Sequence, residues 1–334
     1  MKKAFVLVVL VVLLLPAVGL ITPFDIKNHS RDTGLPWGSD VLSRNIGLRT
    51  LMLTANGYVS LLLGGTGSER VVKGKDGFLF YRQGLEDTLG EQPMTDQGIE
   101  LLADSIARLA RKLKAEGTKF MLVIAPNKAT IYPHKLPYFI QAAPEEGSNR
   151  VRLMAALQQA GVNAPDFVPL LRNKSMLTYM KTDTHWSAYG AYLAYEEIWR
   201  TLFDEQPPIA LTMEDFTVPV PSVGDLSQMV LPGMQPRELD ALPNIEKNYR
   251  TKGIMRSLED MLIETIGPKG APTMFVARDS FGMALFPYLA GSTEKMTFSR
   301  NYEAFYSQAT GHDAAVLVVV ERYLRNQLAY CLDK

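Results

Sequence analysis

Cysteine is almost absent: Cys331, near the C-terminus, is the only one, which excludes an intrachain disulfide framework and leaves a stray thiol. Neither charge is in excess, with Lys and Arg totalling 35 and Asp and Glu 35, and no basic run follows Lys2 and Lys3. That balance sets nucleic acid aside as a partner. Only four histidines occur, a poor supply for a metal centre built from clustered His and Asp ligands. Internal repeats are also missing. What is present is apolar bulk: 47% hydrophobic residues in 334, enough for one large domain or two ordinary ones with a sizeable core.

The N-terminus speaks to the compartment. Lys2 and Lys3 precede an apolar stretch from Ala4 to Ile21, which as a helix is about 27 Å long and close to the depth of a bilayer core. Residues 1–22 therefore read as an export segment. Ala17-Val18-Gly19 has the pattern of a cleavage site, but the length of the run favours a retained signal anchor over a signal peptide. With the lysines on the cytoplasmic side, everything after Thr22 faces the other side.

Residues 23–70 form a lead-in with one short helix expected over Leu51–Leu63. At Val71 the texture changes to strand, Gly/Asp turn and strand through Phe80, the expected start of a domain running to the C-terminus. Gln97–Glu116 carries apolar residues at Leu102, Ile106, Leu109 and Leu113 and ends before Gly117, as an amphipathic helix does. Phe120–Ala125 reads as a strand buried on both faces, followed by a polar loop with Asn127, Lys128 and Tyr132. A helix over Asn149–Gly161, a short segment Ala164–Leu171 and a helix over Tyr189–Phe203 follow. Prolines at 207, 208, 219, 221, 232, 236 and 243 break up Asp204–Lys269, expected as an insertion of loops and extended chain that either lines a groove or merely covers the domain. Thr273–Ala277 and Ala314–Val320 are further buried strands. This alternation predicts an α/β domain with a mainly parallel sheet.

Two stretches carry the chemistry. In Lys181–Gly190, KTDTHWSAYG, Asp183 and His185 occupy a polar turn ahead of a helix; in Val276–Gly282, VARDSFG, Ser280 stands between a strand and an apolar helical run. A serine hydroxyl needs a base within hydrogen-bond reach, and the base needs an acceptor on its second ring nitrogen. Ser280, His185 and Asp183 are of the types that fill these roles. Spacing alone leaves other readings open: Asp183 and Ser280 as helix caps, or Asp183 and His185 as metal ligands joined by His312 and Asp313. His29 and His134 fall in surface-like segments, and His312 in a turn before the last strand. No metal and no cofactor is assigned.

Five motifs in order, GKDGFLF (Gly74–Phe80), APNKATIYPHKLP (Ala125–Pro137), TDTHWSAYGAYLAY (Thr182–Tyr195), ARDSFG (Ala277–Gly282) and VVERYL (Val319–Leu324), resemble the AlgJ/AlgX-type alginate O-acetyltransferase family. Phe78 departs from it, standing where a tryptophan is common. The resemblance implies an SGNH-hydrolase-like fold, circularly permuted, in three layers. It implies a periplasmic enzyme that moves acetyl onto hydroxyls of alginate or another exopolysaccharide, served by a membrane-bound O-acyltransferase and other exopolysaccharide-biosynthesis proteins. Carried over by residue, it makes Ser280 the nucleophile, His185 the base and Asp183 its partner. Asn127 is a candidate oxyanion donor, Tyr132 and Arg278 candidates to contact sugar or position Ser280, and Glu321 a scaffold partner of Arg322 or Arg278. A carbohydrate acetylesterase and a non-catalytic polysaccharide-binding or assembly protein are the alternatives.

Overall fold

Alternating side chains build the molecule around a single sheet. The computed structural model describes residues 49–303 and 305–325. The expected N-terminal span, His29 and Cys331 lie outside them. Among the described residues no helix is long and apolar enough to cross a membrane.

The strands, in chain order, are β1 (Val71–Lys73), β2 (Leu79–Tyr81), β3 (Lys119–Ala125), β4 (Val218–Val223), β5 (Arg237–Leu242), β6 (Arg250–Lys252), β7 (Leu262–Ile266), β8 (Thr273–Arg278), β9 (Lys295–Ser299) and β10 (Ala314–Val320). The central sheet has the order β3-β10-β8-β9-β7-β6. Its first four strands are parallel, and β7 and β6 are added antiparallel at one edge. Along β3, Met121, Val123 and Ala125 enter one apolar cluster, while Phe120, Leu122 and Ile124 enter the other; β10 divides the same way. Both faces are thus covered, as parallel strands require. The helix Ala188–Phe203 packs its Tyr192, Tyr195, Ile198 and Trp199 on the first face. Asp96–Ala115 and Asn149–Gln159 cover the second. Helix, sheet, helix is the three-layer arrangement that the resemblance implies.

One expectation is corrected. Residues 204–269 are not loose cover: β6 and β7 lie in the central sheet, and β4 and β5 form a separate antiparallel pair enclosing the helix Asp225–Val230. Pro219 and Pro221 fall two apart on exposed β4, so both missing N–H groups can point away from β5, the one strand context that accepts proline. The lead-in is likewise packed. Its helix, Arg49–Leu62, meets this segment so closely that a Cβ at Gly57 would lie 1.9 Å from the Val230 carbonyl oxygen.

Candidate active site

Tyr179 and Trp186 pair as an antiparallel bridge, pinching residues 180–185 into a tight loop. The helix Ala188–Phe203 begins just beyond, capped by Ser187, whose hydroxyl accepts from the Gly190 N–H at 3.1 Å. Gly190 is required by the pinch itself: a Cβ there would stand 2.1 Å from the Thr178 carbonyl oxygen. The close approach is thus to the Thr178 segment.

Ser280 lies across from this loop. It follows β8 and opens a short 3-10 turn, Ser280–Leu285, before the helix Phe286–Ser292. Buried Asp279 fixes the turn, accepting from the Phe281 N–H at 2.9 Å and from the Val320 N–H at 2.6 Å, so the end of β8 is tied to the end of its neighbour β10. A second tie joins turn and loop: Trp186 Nε1 donates to the Phe281 carbonyl at 3.0 Å, and the Phe281 ring packs 4.9 Å from that of His185.

The result is a continuous hydrogen-bonded chain. Ser280 Oγ is 2.7 Å from His185 Nε2, and His185 Nδ1 is 2.6 Å from Asp183 Oδ1. The Asp183 carboxylate also accepts from the backbone N–H groups of His185 and Asp225, each at 2.9 Å. Burial disfavours charge on both side chains, but the hydrogen bond and mutual attraction outweigh it: the His185 pKa is raised and that of Asp183 lowered. The side chains are 24% and 16% exposed, so the pair is shielded yet open to a substrate.

The loop is held from three sides by residues the sequence gave no reason to select. Glu238, on β5, accepts from the N–H groups of Lys181 and Thr182 and from the Thr182 hydroxyl. Asp225 accepts from the Thr184 N–H and hydroxyl. Lys128, 4% exposed, donates from Nζ to the carbonyls of Met180, Lys181 and Asp183 at 3.1, 2.9 and 2.6 Å. Burial lowers its pKa to about 7 against the opposing charges of Asp183, Asp225 and Glu238. The one usable signal was Lys128's place in the polar loop after β3.

Asp183, His185 and Asp225 place potential ligand atoms within 4.8 Å of one another. Each carboxylate oxygen among them already accepts an N–H or O–H, so the set reads as a hydrogen-bonded cluster. His312 and Asp313 do not join it: His312 sits half-buried beside Phe275, and Asp313 accepts from Thr273.

The remaining candidates lie around this centre, buried. Asn127 is buried, donates from Nδ2 to Asp87 at 3.4 Å and accepts from Arg322 at 3.4 Å, with no hydrogen bond to Ser280 or His185. Its side chain is committed to a polar network, which leaves it badly aimed for an oxyanion. Tyr132 is 8% exposed and its hydroxyl is taken up by the N–H and hydroxyl of Thr178, so no face remains for a sugar. Arg278 is fully buried, bonded to the Leu258 carbonyl and stacked 4.7 Å from the Phe298 ring. Its stem packs under Gly282 of the Ser280 turn, with no exposed surface. Glu321 pairs with Arg150 rather than Arg322 or Arg278, and accepts from the Asn127 N–H and the Thr130 hydroxyl.

Comparisons with known proteins bear on fold and lineage. The family described as the SGNH hydrolase-like domain of the acetyltransferase AlgX matches residues 71–282. The probable alginate O-acetylase AlgJ of Pseudomonas aeruginosa is 30% identical over 127 residues, 37% of this chain and 31% of that protein. That of Azotobacter vinelandii is 29% identical over 180 residues, 50% of this chain and 43% of its own. The matched part thus spans less than half the length of these relatives. Among solved structures, Bacillus cereus PatB1 with a sulfonyl adduct superimposes with a TM-score of 0.59 at 17% identity, covering 79% of this chain and 97% of that one. The O-acetyltransferase domain of Pseudomonas putida AlgJ does so with a TM-score of 0.51 at 21% identity, covering 77% and 93%. These two likenesses establish the fold, and the match over residues 71–282 establishes the lineage: the chain belongs to the family of SGNH hydrolase-like domains typified by the acetyltransferase AlgX.

Proposed function

We propose that the chain is a polysaccharide O-acetyltransferase that works through an acetyl-serine, with Ser280, His185 and Asp183 as its catalytic triad. The observation that carries this reading is the unbroken chain Ser280 Oγ–His185 Nε2–Asp183, at 2.7 and 2.6 Å. Asp183 holds the proton on His185 Nδ1, which leaves Nε2 free to accept the Ser280 proton. Oγ then adds to the acetyl carbonyl of the donor. Collapse of the tetrahedral intermediate breaks the bond to the leaving group, which takes the proton back from His185. A sugar hydroxyl next gives its proton to the same Nε2 and attacks the acetyl-serine; Oγ leaves and is reprotonated. The negative oxygen of both intermediates lies near the Ser280 N–H at the start of the 3-10 turn.

The acceptor in this reading is alginate or a similar exported polysaccharide, by analogy with the AlgJ relatives. The domain spans residues 71–334 behind an N-terminal anchor on the periplasmic side of the inner membrane, and a membrane-bound O-acyltransferase supplies the acetyl. Intact-mass analysis of the protein treated briefly with an aryl acetate is the test. Wild type gains one acetyl, Ser280→Ala gains none, and added oligosaccharide removes the acetyl and becomes acetylated itself. Release of acetate with no sugar ester would make the protein an esterase. Neither adduct nor release would leave it a binding or assembly protein.

A further inference from the structure

The loop that carries Asp183 and His185 has a charge problem. Asp183 sits among Asp225 and Glu238, both brought in by the segment 204–269, and Asp240 adds a fourth carboxylate that accepts from the Ala188 N–H at 3.0 Å. Burial, together with Glu238 and Asp183, raises the Asp240 pKa. Three of these carboxylates clamp the loop or the start of its helix by accepting N–H groups. The loop's carbonyl oxygens need donors in turn. The Thr182 carbonyl takes the Ser227 N–H, and the Lys181 carbonyl the Leu79 N–H. The carbonyls of Met180 and Asp183, together with that of Lys181, converge on the Lys128 ammonium ion. All three hydrogens of Nζ are therefore spent on backbone bracketing Asp183, and the remaining neighbour of the ammonium ion is the Phe80 ring at 5.5 Å.

We propose that Lys128 is the positioning residue of the acid–base pair: its ammonium ion fixes the backbone at Met180–Asp183 so that the Asp183 carboxylate meets His185 Nδ1, and it thereby sets the rate at which Ser280 is acylated. The inference rests on the acetyl-serine reading of the site. Three observations distinguish it from ordinary core packing. The donor is an amine buried to 4% exposure, and a buried polar group of this kind is costly unless it is hydrogen-bonded, as this one is three times over. Its acceptors are three carbonyls of one loop, one of them Asp183's own. The charges facing it are Asp183 from the loop, Asp225 from the helix Asp225–Val230, Glu238 from β5, and Arg322 across the small cavity that Lys128 also lines. The carboxylates thus grip the loop's N–H groups while Lys128 grips its carbonyls, and Asp183 itself stays ionised through its bonds to His185 and to the Asp225 N–H.

Two readings of the full chain test this, one kinetic and one independent of turnover. Lys128→Met keeps the length and removes the donor. Single-turnover acylation by an aryl acetate is expected to slow on the order of 100-fold at saturating ester with little change in the half-saturating concentration, because displacing a catalytic group by about 1 Å costs that much. In the proton NMR spectrum, the downfield resonance of His185 Nδ1–H bonded to Asp183, identified by its loss in Asp183→Asn, is expected to broaden or vanish in Lys128→Met while dispersed methyl signals persist. A Lys128→Met protein that acylates at the wild-type rate and keeps the resonance overturns the proposal. Should that variant not fold, Lys128→Arg answers instead. Its planar fork keeps the charge but cannot serve three converging carbonyls, so slower acylation is expected, and wild-type rate and resonance would overturn the geometric argument. Wild type that is never acylated sinks the acetyl-serine reading, while the NMR comparison still decides the role of Lys128.

Discussion

Asp183→Asn separates two contributions of one carboxylate. Asp183 accepts three N–H groups: His185 Nδ1 at 2.6 Å, the His185 backbone at 2.9 Å and the Asp225 backbone at 2.9 Å. An asparagine has one oxygen for them. If that oxygen stays on His185, the NH2 group faces the Asp225 N–H, donor against donor. Only the charge is then lost from the catalytic bond. A charge-assisted hydrogen bond contributes about 1.5–3 kcal/mol, so acylation falls roughly 10- to 150-fold at 1.4 kcal/mol per decade. If the amide flips instead, NH2 faces Nδ1, the imidazole proton is forced to Nε2, and the ring can no longer accept from Ser280 Oγ. The expected loss is then on the order of 10⁴-fold. The flip in turn sets NH2 against the His185 backbone N–H, so each arrangement leaves one donor facing a donor and the size of the loss reports which one the side chain adopts. Pre-steady-state release of nitrophenol from an aryl acetate, with intact mass to count acetyl-serine, measures it. A loss under tenfold would refute the reasoning, because neither arrangement allows it.

The pH dependence follows from the same pair. His185 must be neutral to accept a proton and its pKa is raised, so acylation should fall on acidification with a midpoint above the ordinary histidine value of about 6.5; a pH–rate profile of kcat/KM checks this. Stability runs the opposite way for this ring: its folded pKa lies above the unfolded one, so its contribution is complete below about pH 6.5 and is lost as pH rises through the folded value. Asp183, with its pKa lowered, stabilises above about pH 3.9 and loses that contribution as pH falls through its folded value, visible in acid denaturation by circular dichroism. Gly190→Ala puts a methyl group 2.1 Å from a carbonyl oxygen and should cost about 1–3 kcal/mol in urea unfolding together with activity, since the loop pinch must open. Leu113→Ala, in the core on the far face of the sheet, should cost about 2–5 kcal/mol in the same measurement while the folded fraction acylates normally.

How much was legible in the sequence differs by element. β10 was readable to the residue, and β3 nearly so, because a strand buried on both faces in a parallel sheet is an unbroken apolar run and little else in the chain has that texture. Asp183, His185 and Ser280 were legible as residue types beside turns, but not as neighbours: the contact between His185 and Ser280 joins positions 95 apart in sequence. β4 was hidden by prolines that an exposed edge strand tolerates, and β6 and β7 by shortness, three and five residues with mixed polarity. Asn127, Tyr132 and Arg278 were picked for chemical type and loop position. All three are buried in the structure, and burial of a single polar side chain leaves no periodic trace. Asp225 and Glu238 were illegible for a related reason, since an acid that grips backbone N–H groups of a distant loop looks in sequence like any surface acid.

The hairpin of β4 and β5 presents most of β4 outward to solvent, while Glu238 on its inner strand and Asp225 between its strands grip the loop of Asp183. Exchanging this hairpin between family members would therefore exchange part of the acid's electrostatic setting as well. A graft that copied the outer strand but not the two gripping carboxylates would loosen the loop of Asp183 and is expected to slow Ser280 acylation. An engineered chimera would have to carry the two carboxylates along with the new surface.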